Sequence, residues 1–270
     1  MTCRPCRRPA ALFVALLVAG ALLPVPTSAQ AVPLDPDDPA WELSGDARVE
    51  TRDGRRALVL GIGSARRPDV SFADGTLEFD MTGADARAFL GAVFRARAGG
   101  HAEDVYFRLH KSGLPDAVQY SPDFRGRGQW QLYHGPHATA SARFDGSRWV
   151  HVRIVVQGEQ AAVFVGGGPE PRLVVDRLRT GNGEGHVGFW ANRPGADRPA
   201  FSAALAEIVV RPGVVGHDFD EPEPASVPAG VVRRWSLSAA FPRDGGRVEA
   251  VPADVEEGRW STVEAERSGL

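Results

Sequence analysis

The sequence predicts an all-β protein, a two-sheet antiparallel sandwich over residues 41–212. Short runs in which apolar and polar residues alternate follow one another at close spacing. Turn-forming pairs such as Asp53-Gly54 separate the runs, and Asp-Gly between alternating runs is a strong hairpin signal. No run keeps a helical period over three turns. Many short strands with glycine and proline between them are typical of a sandwich or barrel.

The expected strands are the runs at 47–51, 56–61, 76–81, 89–96, 105–110, 117–121, 130–134, 149–157, 160–165, 173–175, 186–192 and 201–210. Alternate side chains of a strand point to opposite faces of the sheet, so each run also predicts which residues are buried. In the run 130–134, Trp130 and Leu132 are expected in the core, with Gln131 and Tyr133 outside. In the run 105–110, Tyr106, Arg108 and His110 are expected outside.

The first 31 residues have the pattern of a secretory signal peptide. A basic start is followed by an apolar stretch at 10–23 and by the small-residue end Ala29-Gln30-Ala31, with cleavage expected after Ala31. The apolar stretch is shorter than the about 20 residues that a membrane helix needs, so no stable membrane span is expected. The sequence therefore predicts a secreted or periplasmic protein.

The segments around the sandwich differ in composition from it. Residues 32–40 and the acidic, proline-rich residues 213–230 are expected to be linkers. Residues 231–270 contain a few strand-like runs and are expected to form either an incomplete β segment or a poorly ordered tail.

Net charge and cysteine content bear on two questions, whether the protein binds nucleic acid and whether disulfide bonds stabilise it. The net charge of -3 gives no reason to expect nucleic acid as a partner. Both cysteines, Cys3 and Cys6, lie in the predicted leader, so the mature chain is expected to have no disulfide. No motif indicates a cofactor, and the oligomeric state stays open.

Several runs resemble the strands of one superfamily. The hairpin RWVHVRIVVQGEQAAVFVGG at 148–167, with GTLEFDM at 75–81, GAVFRA at 91–96 and GHVGFWAN at 185–192, resembles the concanavalin A-like lectin/glucanase domains. These include laminin G-like modules and the secreted 3-keto-disaccharide hydrolase-like domain. The resemblance covers about residues 41–212. It implies a jelly-roll sandwich whose concave sheet holds sugars.

Sugars are bound by planar polar groups that pair with hydroxyls and by aromatic rings that stack on the sugar. Side chains of both kinds are expected on outward positions of the strands, and we predict these as ligand-binding residues: Tyr106, Arg108, His110, Gln119, Gln131, Tyr133, Trp190 and Asn192. The alternative is that they are ordinary polar cover on a solvated sheet face.

Catalytic residues are less well indicated. The glucanases of the superfamily carry an E-x-D-x-E or E-x-D-x-x-E strand, and Glu78 and Asp80 resemble its beginning, but Thr82 and Gly83 occupy the places of the third carboxylate. His110 is a further candidate for proton transfer. Glu103, Asp104 and Asp116 flank the patch and are a different source of carboxylates.

No metal site is predicted. His134 and His137 lack a third ligand at suitable spacing, and no D-x-D-x-D-G loop supports calcium, although calcium is common in lectin-like modules. The sequence thus predicts an exported module that binds a glycan on its concave face. A glycoside hydrolase-like enzyme and an adhesion or scaffold module remain the alternatives.

Overall fold

A computed structural model describes residues 30–83, 87–146, 148–193 and 201–219 of the chain. Within these ranges the chain forms one short 3₁₀ turn, Leu109–Lys111, and fifteen strands: β1 Val32–Pro33, β2 Glu42–Arg52, β3 Arg55–Phe72, β4 Gly75–Gly83, β5 Phe89–Arg97, β6 His101–Phe107, β7 Val118–Tyr120, β8 Asp123–Phe124, β9 Arg127–Gly128, β10 Thr139–Ala140, β11 Val150–Gln157, β12 Gln160–Val165, β13 Leu173–Val175, β14 Gly185–Asn192 and β15 Ala203–Pro212. None of the helices among the described residues is long and apolar enough to cross a membrane.

The strands form two antiparallel layers that share the long strand β3. The second part of β3 pairs with β14 and continues the order β14-β5-β6-β7-β10, which we call the β6 sheet. The first part pairs with β15 and continues the order β15-β4-β11-β12-β13, which we call the β4 sheet. The hairpin partner β2 follows β3 along both parts. Strands that pass from one layer to the other in this way are typical of sandwich corners.

The turns that the sequence predicted close the hairpins. Asp53 and Gly54 both have positive φ, 50° and 77°, and join β2 to β3 in two residues. Positive φ at both central residues matches the twist of the flanking strands, and Asp-Gly tolerates it better than most pairs. The β11–β12 hairpin turns at Gly158, with φ 56°.

The core lies between the two sheets. The ring of Phe79 on β4 contacts the rings of Phe189 on β14 and Phe107 on β6, with centroids 5.0 Å and 6.1 Å away. The predicted inward residues are buried as expected: Leu77, Phe79, Met81, Val105, Phe107, Leu109, Val152, Ile154, Val156, Val163, Val165, Val187 and Phe189. Each large apolar side chain buried in this way contributes about 1.5–3 kcal/mol to folding.

The prediction for residues 130–134 is wrong. The segment forms no strand, and Trp130 and Leu132 are 48% and 77% exposed instead of buried. A turn closed by the hydrogen bond from Leu132 N to Gln129 O, 2.9 Å, replaces the strand. The segment lies between β9 and β10 and belongs to neither sheet, so the exposed side chains of Trp130 and Leu132 face no core.

The chain on either side of the predicted sandwich takes part in the fold. Val32 and Pro33 pair with Val210 and Val209 of β15, and Leu34 is buried at 1% exposure. Residues 213–219 bring Val215 and Phe219 against the buried Phe164 of β12. The predicted signal peptide, except for its last two residues, and the predicted regions 220–230 and 231–270 lie outside the described residues.

Candidate functional site

Four consecutive strands of the β6 sheet, β14, β5, β6 and β7, bring predicted ligand-binding residues together on its outer face. Trp190 of β14 lies opposite Gly91 of β5, and Gly91 lies opposite Tyr106 of β6. Tyr106 lies in turn opposite Gln119 of β7. The ring centroids of Trp190 and Tyr106 are 6.0 Å apart, with the planes tilted by 49°. Parity placed these residues on one face, and the strand order makes them neighbours.

Tyr106, Arg108 and Gln119 form a buried hydrogen-bonded network. The Tyr106 hydroxyl donates to Gln119 Oε1 at 2.7 Å and accepts from Arg108 Nη2 at 2.9 Å. Arg108 also donates to Gln119 Oε1 and to the Asp116 carboxylate, 2.6 Å. Burial raises the pKa of the Tyr106 phenol to about 12. The expectation that Tyr106 and Arg108 are exposed is therefore wrong, and the network is a rigid floor whose donors and acceptors are largely satisfied.

Gln119 also fixes the loop that follows β9. Its Nε2 donates to the main-chain oxygens of Trp130, 2.8 Å, and Tyr133, 2.6 Å. The half-buried ring of Tyr133 packs edge-on against Tyr120, a core residue, at 5.6 Å. Gln131 is exposed in the turn. Tyr133 is thus placed against the core, and Gln131 on the loop, instead of beside Trp190.

His110 and Asn192 lie at the end of the outer face. His110 is in the 3₁₀ turn, and its ring packs edge-on against Phe89 at 5.9 Å. Burial lowers the pKa of His110, which favours the neutral imidazole. The exposed Asn192 lies opposite Phe89 on β5. Phe89 also contacts Tyr106 at 5.8 Å. The sequence analysis missed Phe89 as the residue that joins these side chains, although its alternation with Leu90 signalled an outward position.

The indole of Trp190 occupies the space above Gly91. A Cβ at Gly91 would lie 2.0 Å from Nε1 and 2.2 Å from Cε2 of the indole. The ring therefore rests where a side chain of β5 would stand. Its Nε1 donates to Asp104 Oδ2 on β6 at 3.0 Å, which fixes the ring across the sheet. Trp190 stays partly exposed, so the indole is held in place without being enclosed.

We predict that Gly91→Ala expels the Trp190 ring. The added methyl group cannot coexist with the indole, and overpacking of this kind costs about 1–3 kcal/mol. The shift is measurable as a changed Trp fluorescence maximum and a lower urea midpoint. Gly168→Ala is the control, since a Cβ there meets nothing within 4 Å. Unchanged fluorescence in Gly91→Ala would contradict the placement of the ring.

Asp104 is a buried acid below the indole. Its side chain is 4% exposed. Burial raises the pKa of Asp104 well above its usual range, and the nearby Asp123 raises it further, against the opposing effect of the Trp190 hydrogen bond. The raised pKa favours the protonated, uncharged form of this carboxyl group. Notably, Asp104 Oδ1 and Ser121 Oγ are buried without a hydrogen-bond partner among the described residues.

A cleft of about 240 Å³ opens beside the indole. Its lining combines the aromatic Trp190 with polar side chains of strands β3, β5, β6, β8 and β14, namely Ser64, Arg66, Arg97, His101, Asp123 and His186. Burial and the charge of Glu103 raise the pKa of Asp123. Burial and the charge of Arg66 lower the pKa of His186. The sequence analysis missed these cleft residues, because the order of strands decides which of them meet.

The predicted catalytic carboxylates lie on the other sheet. Asp80 on β4 accepts from Arg55 Nη1 at 2.5 Å and lies 2.8 Å from His151 Nδ1. Glu78 lies 3.5 Å from Arg211 Nε. Neither residue lines the cleft beside Trp190. The structure thus separates Glu78 and Asp80 from the predicted ligand-binding face and from His110.

The flanking carboxylates differ in role. Glu103 is fully buried and accepts from Tyr120 Oη, 2.6 Å, and from the main chain and hydroxyl of Thr180 at 2.7 Å and 2.8 Å. Asp116 pairs with Arg108 and Lys111. Asp104 is the one of the three that contacts the indole at the cleft. In the described part of the chain, no three His, Cys, Asp or Glu side chains are grouped so that they could hold a metal ion.

Known structures show what this fold is similar to. A glycosidic hydrolase is similar over 69% of this chain and 98% of its own, with 15% sequence identity and a TM-score of 0.50. The Crh5 transglycosylase in complex with NAG is similar over 69% of this chain and 85% of its own, with 10% identity and a TM-score of 0.50. The carbohydrate-binding module CBM66 from Bacillus subtilis is similar over 63% and 93%, with 16% identity and a TM-score of 0.46.

No family model and no curated protein matches the sequence. At these identities the structural likeness concerns the fold alone. Together with the two antiparallel layers and their shared strand β3, it agrees with the expectation from the sequence. The chain has the concanavalin A-like jelly-roll fold.

Proposed function

We propose that this protein binds a glycan on the outer face of the β6 sheet, with Trp190 as the stacking platform. The observation that carries the proposal is the partly exposed indole that Gly91 and Asp104 fix in place at the edge of a polar cleft. A pre-positioned aromatic ring binds without the cost of ordering a mobile side chain. An aromatic plane with convergent polar groups is the combination that a sugar ring requires.

The size and charge of the cleft favour a short, uncharged segment of glycan. Its volume of about 240 Å³ lies below the range of about 300–1,000 Å³ that is typical of drug-sized ligands. Arg66 pairs with Glu42 at 3.4 Å, which offsets its charge. Asp123 further lowers the positive potential of the lining whenever it is ionised. Arg97 and Asp123 are then the remaining lining residues of Arg, Lys, Asp and Glu type, one of each sign, so a neutral sugar unit fits this balance better than a polyanion does.

The fold neighbours agree with a carbohydrate ligand. Of the two with a TM-score of 0.50, one is described as a glycosidic hydrolase and the other as a transglycosylase in complex with NAG. Their sugar chemistry supports the ligand class, although fold likeness by itself transfers no residue role.

The proposal predicts that Trp190→Ala weakens glycan retention at least tenfold, about 1.4 kcal/mol. The purified protein is passed over immobilised neutral and acidic polysaccharides, and retention is compared between wild type and variants. Trp190→Phe should keep part of the affinity, because a ring remains. Trp130→Ala is the matched control, since Trp130 is 48% exposed and lies outside the lining of the cleft.

Near-UV circular dichroism separates lost binding from lost folding in Trp190→Ala, which also removes the partner of Asp104. If the well-folded Trp190→Ala variant is retained on the polysaccharide as strongly as wild type, Trp190 does not stack on the glycan. If wild type is retained by no polysaccharide, the glycan-binding proposal fails. The adhesion module then gains support from Trp130 and Leu132, which are both exposed on one loop.

A hydrolase is the second candidate, and the acids near the cleft favour it. Asp123 lines the cleft and Asp104 lies below the indole, and the pKa of each is raised. Glycosidases use one protonated and one ionised carboxyl group across the scissile bond. The same polysaccharides are therefore assayed for released reducing sugar. Release by wild type and not by Asp123→Asn would support the hydrolase, whereas retention without release supports the lectin-like function.

We also infer export, on the basis of the basic and apolar leader that ends at Ala31. N-terminal sequencing of the protein from the medium or the periplasm of an expressing bacterium tests this inference. A chain that begins at Val32 is the expected product, and an uncleaved chain in the cytoplasm would contradict it.

A further inference from the structure

Strand β2 is an open edge of the fold. Among the described residues it pairs with β3 alone, over Glu42–Arg52. The pairing is irregular between Gly45 and Ala47, so the regular edge runs from Ala47 to the end of the strand. All side chains of β2 are exposed or half-buried. An edge strand leaves a row of main-chain N–H and C=O groups without partners, and such a row is a template for another strand.

The turn of the β2–β3 hairpin decides which main-chain groups face the open edge. Arg52 and Arg55 flank the two-residue turn and lie opposite each other. Residues in this position form a hydrogen-bonded pair, and bonded and non-bonded pairs alternate along an antiparallel ladder. Arg52 is thus bonded to β3. The alternate residues direct their N–H and C=O groups to the open edge, and these are Thr51, Val49 and Ala47.

Charged side chains of alternating sign line one face of this edge. Ala47 and Val49 pack against the hydrophobic core. Because successive side chains of a strand point to opposite faces, the residues between and beside them share the other face. In chain order these residues are Asp46, Arg48, Glu50 and Arg52.

The charges of this face remain accessible to a partner. Arg48 and Glu50 pair with each other within the strand, where their side chains are 48% and 43% exposed. Arg52 donates to the main-chain oxygen and the hydroxyl of Ser202, at 3.3 Å and 3.1 Å, and both groups are uncharged. Asp46 is exposed. A second strand laid along the edge would therefore meet these charges.

We propose that β2 pairs antiparallel with β2 of a second copy of this chain, with the two Val49 residues opposite each other on a two-fold axis. The outward main-chain groups of the two strands then form a hydrogen-bonded ladder, in which Val49 bonds to Val49 and Ala47 bonds to Thr51. A two-fold contact uses the same patch on both subunits, so the strand must be complementary to itself. This inference is independent of the proposed glycan binding.

The charges of β2 are complementary to themselves in this register. Arg48 lies opposite Glu50 of the second copy, and Asp46 lies opposite Arg52 of the second copy. These pairs occupy the non-hydrogen-bonded positions of the ladder, where the Cα atoms are about 4.5 Å apart and the side chains are closest. Opposite charges that face each other across two strands stabilise the pairing.

The same charges oppose the neighbouring registers. A shift by two residues to one side puts Arg48 opposite Arg48 and Asp46 opposite Glu50. A shift to the other side puts Glu50 opposite Glu50 and Arg48 opposite Arg52. Like charges directly opposite each other are destabilising. Charged side chains usually protect an edge strand from association, but here they favour one register with a second copy.

Sedimentation equilibrium of the purified protein measures this association. We expect the average mass to rise from that of one chain toward that of two between about 1 and 200 µM protein, because a contact confined to one strand forms a weak interface. Thr51→Pro removes an outward N–H group, and proline is tolerated where the N–H of an edge strand faces solvent. We expect its dissociation constant to be about tenfold higher than that of wild type.

A charge exchange tests the register. Glu50→Arg places like charges opposite each other, and its dissociation constant should rise about tenfold. The double variant Arg48→Glu with Glu50→Arg restores opposite charges, so it should return to within about threefold of wild type. Glu170→Arg is the matched control, because it makes the same change of charge on the exposed loop between β12 and β13 and should leave the association unchanged.

Each outcome supports or overturns the pairing. A wild-type protein that stays monomeric up to about 200 µM overturns it. Association that Thr51→Pro and Glu50→Arg leave unchanged, with their fold verified by near-UV circular dichroism, shows a different interface and overturns it as well. A double variant as weak as Glu50→Arg overturns the register. Stability comparisons of variants such as Arg48→Met then belong at concentrations at which the chain is monomeric.

Discussion

Replacement of Arg95 by methionine is expected to lower the free energy of unfolding by about 3–5 kcal/mol. Arg95 is fully buried, and its guanidinium donates to the main-chain oxygens of Ala73 and Gly158 at 2.8 Å and of Gly181 at 3.3 Å. It also pairs with Asp74 at 2.8 Å. Methionine leaves these acceptors without their donor, and each such bond to a charged group contributes about 1.5–3 kcal/mol.

The effect reaches the functional face because Arg95 lies in an irregularity of β5. Its φ is +52°, and the pairing of β5 with β6 shifts between Phe94 and Arg97. The side chain is thereby turned toward three loops, and Arg97 is placed beside the cleft. Loss of the anchor should loosen this end of β5.

Equilibrium unfolding in urea measures the difference. Arg95→Lys is the informative companion, since it keeps the charge but cannot reach all four acceptors at once. Arg48→Met is the surface control, because Arg48 forms an exposed ion pair with Glu50 and such pairs contribute about 0–1 kcal/mol. A loss below 1 kcal/mol in Arg95→Met would show that the buried guanidinium is not an anchor.

The alternation of apolar and polar residues predicted much of the fold, because it indicates which side chains share a face of a strand. In β4, β6, β11 and β14 one face meets the opposite sheet, and the apolar period of two identified the buried residues. In residues 130–134 the same period appeared without a sheet to cover it. Alternation states which side chains share a face, but burial also requires a second layer. That residues 130–134 lie in a loop between β9 and β10, outside both sheets, is not written in the local sequence.

In the candidate site, too, alternation predicted which residues share a face but not which of them are buried. Parity correctly grouped Tyr106 with Trp190 on one face, and the strand order brought them to 6.0 Å. Burial of Tyr106 and Arg108 could not be foreseen, because it accompanies a hydrogen-bonded network with Gln119 and Asp116 that joins residues distant in the sequence. Asp104 has the parity of Tyr106, so its place on the outer face was readable. Its role below the indole required the small residue Gly91 on an intervening strand, which sequence spacing does not reveal.

The outer face thus contains one buried polar group whose hydrogen bonds are made and another whose hydrogen bonds are incomplete. Tyr106, Arg108 and Gln119 satisfy one another, whereas Asp104 and Ser121 do not. In a stable protein the unsatisfied group is the part that binding can improve. This contrast locates the candidate ligand contacts at the end near Asp123 and Trp190.

The raised pKa of Asp104 predicts a pH dependence of stability that Asp104→Asn removes. In the unfolded chain the carboxyl group ionises near 3.8, whereas in the folded chain burial and the neighbouring Asp123 keep it protonated to higher pH. Between the two pKa values the folded state binds the extra proton. Stability from this group is therefore present at low pH and falls as pH rises, by up to about 1.4 kcal/mol per pH unit.

Other groups face Asp104 and must be considered. Asp123 approaches from β8, the Trp190 indole from β14, and Tyr106 lies two residues along β6. Asparagine keeps a carbonyl for the Trp190 N–H and an amide donor toward Ser121, so it imitates the neutral acid. Urea unfolding from pH 4 to pH 8 should show similar stability of the two proteins at pH 4. Wild type should then become progressively less stable than Asp104→Asn.

Asp116→Asn provides a control of opposite sign. Although burial opposes it, the hydrogen bond from Lys111 and the charge of Arg108 lower the pKa of Asp116, so its contribution is present above its ordinary pKa and is lost as pH falls through the lowered value. Wild type should therefore gain stability over Asp116→Asn as pH rises from about 2 to 4. If Asp104→Asn and wild type keep a constant difference from pH 4 to pH 8, Asp104 is ionised in the folded protein. The buried acid would then present acceptors alone below the indole.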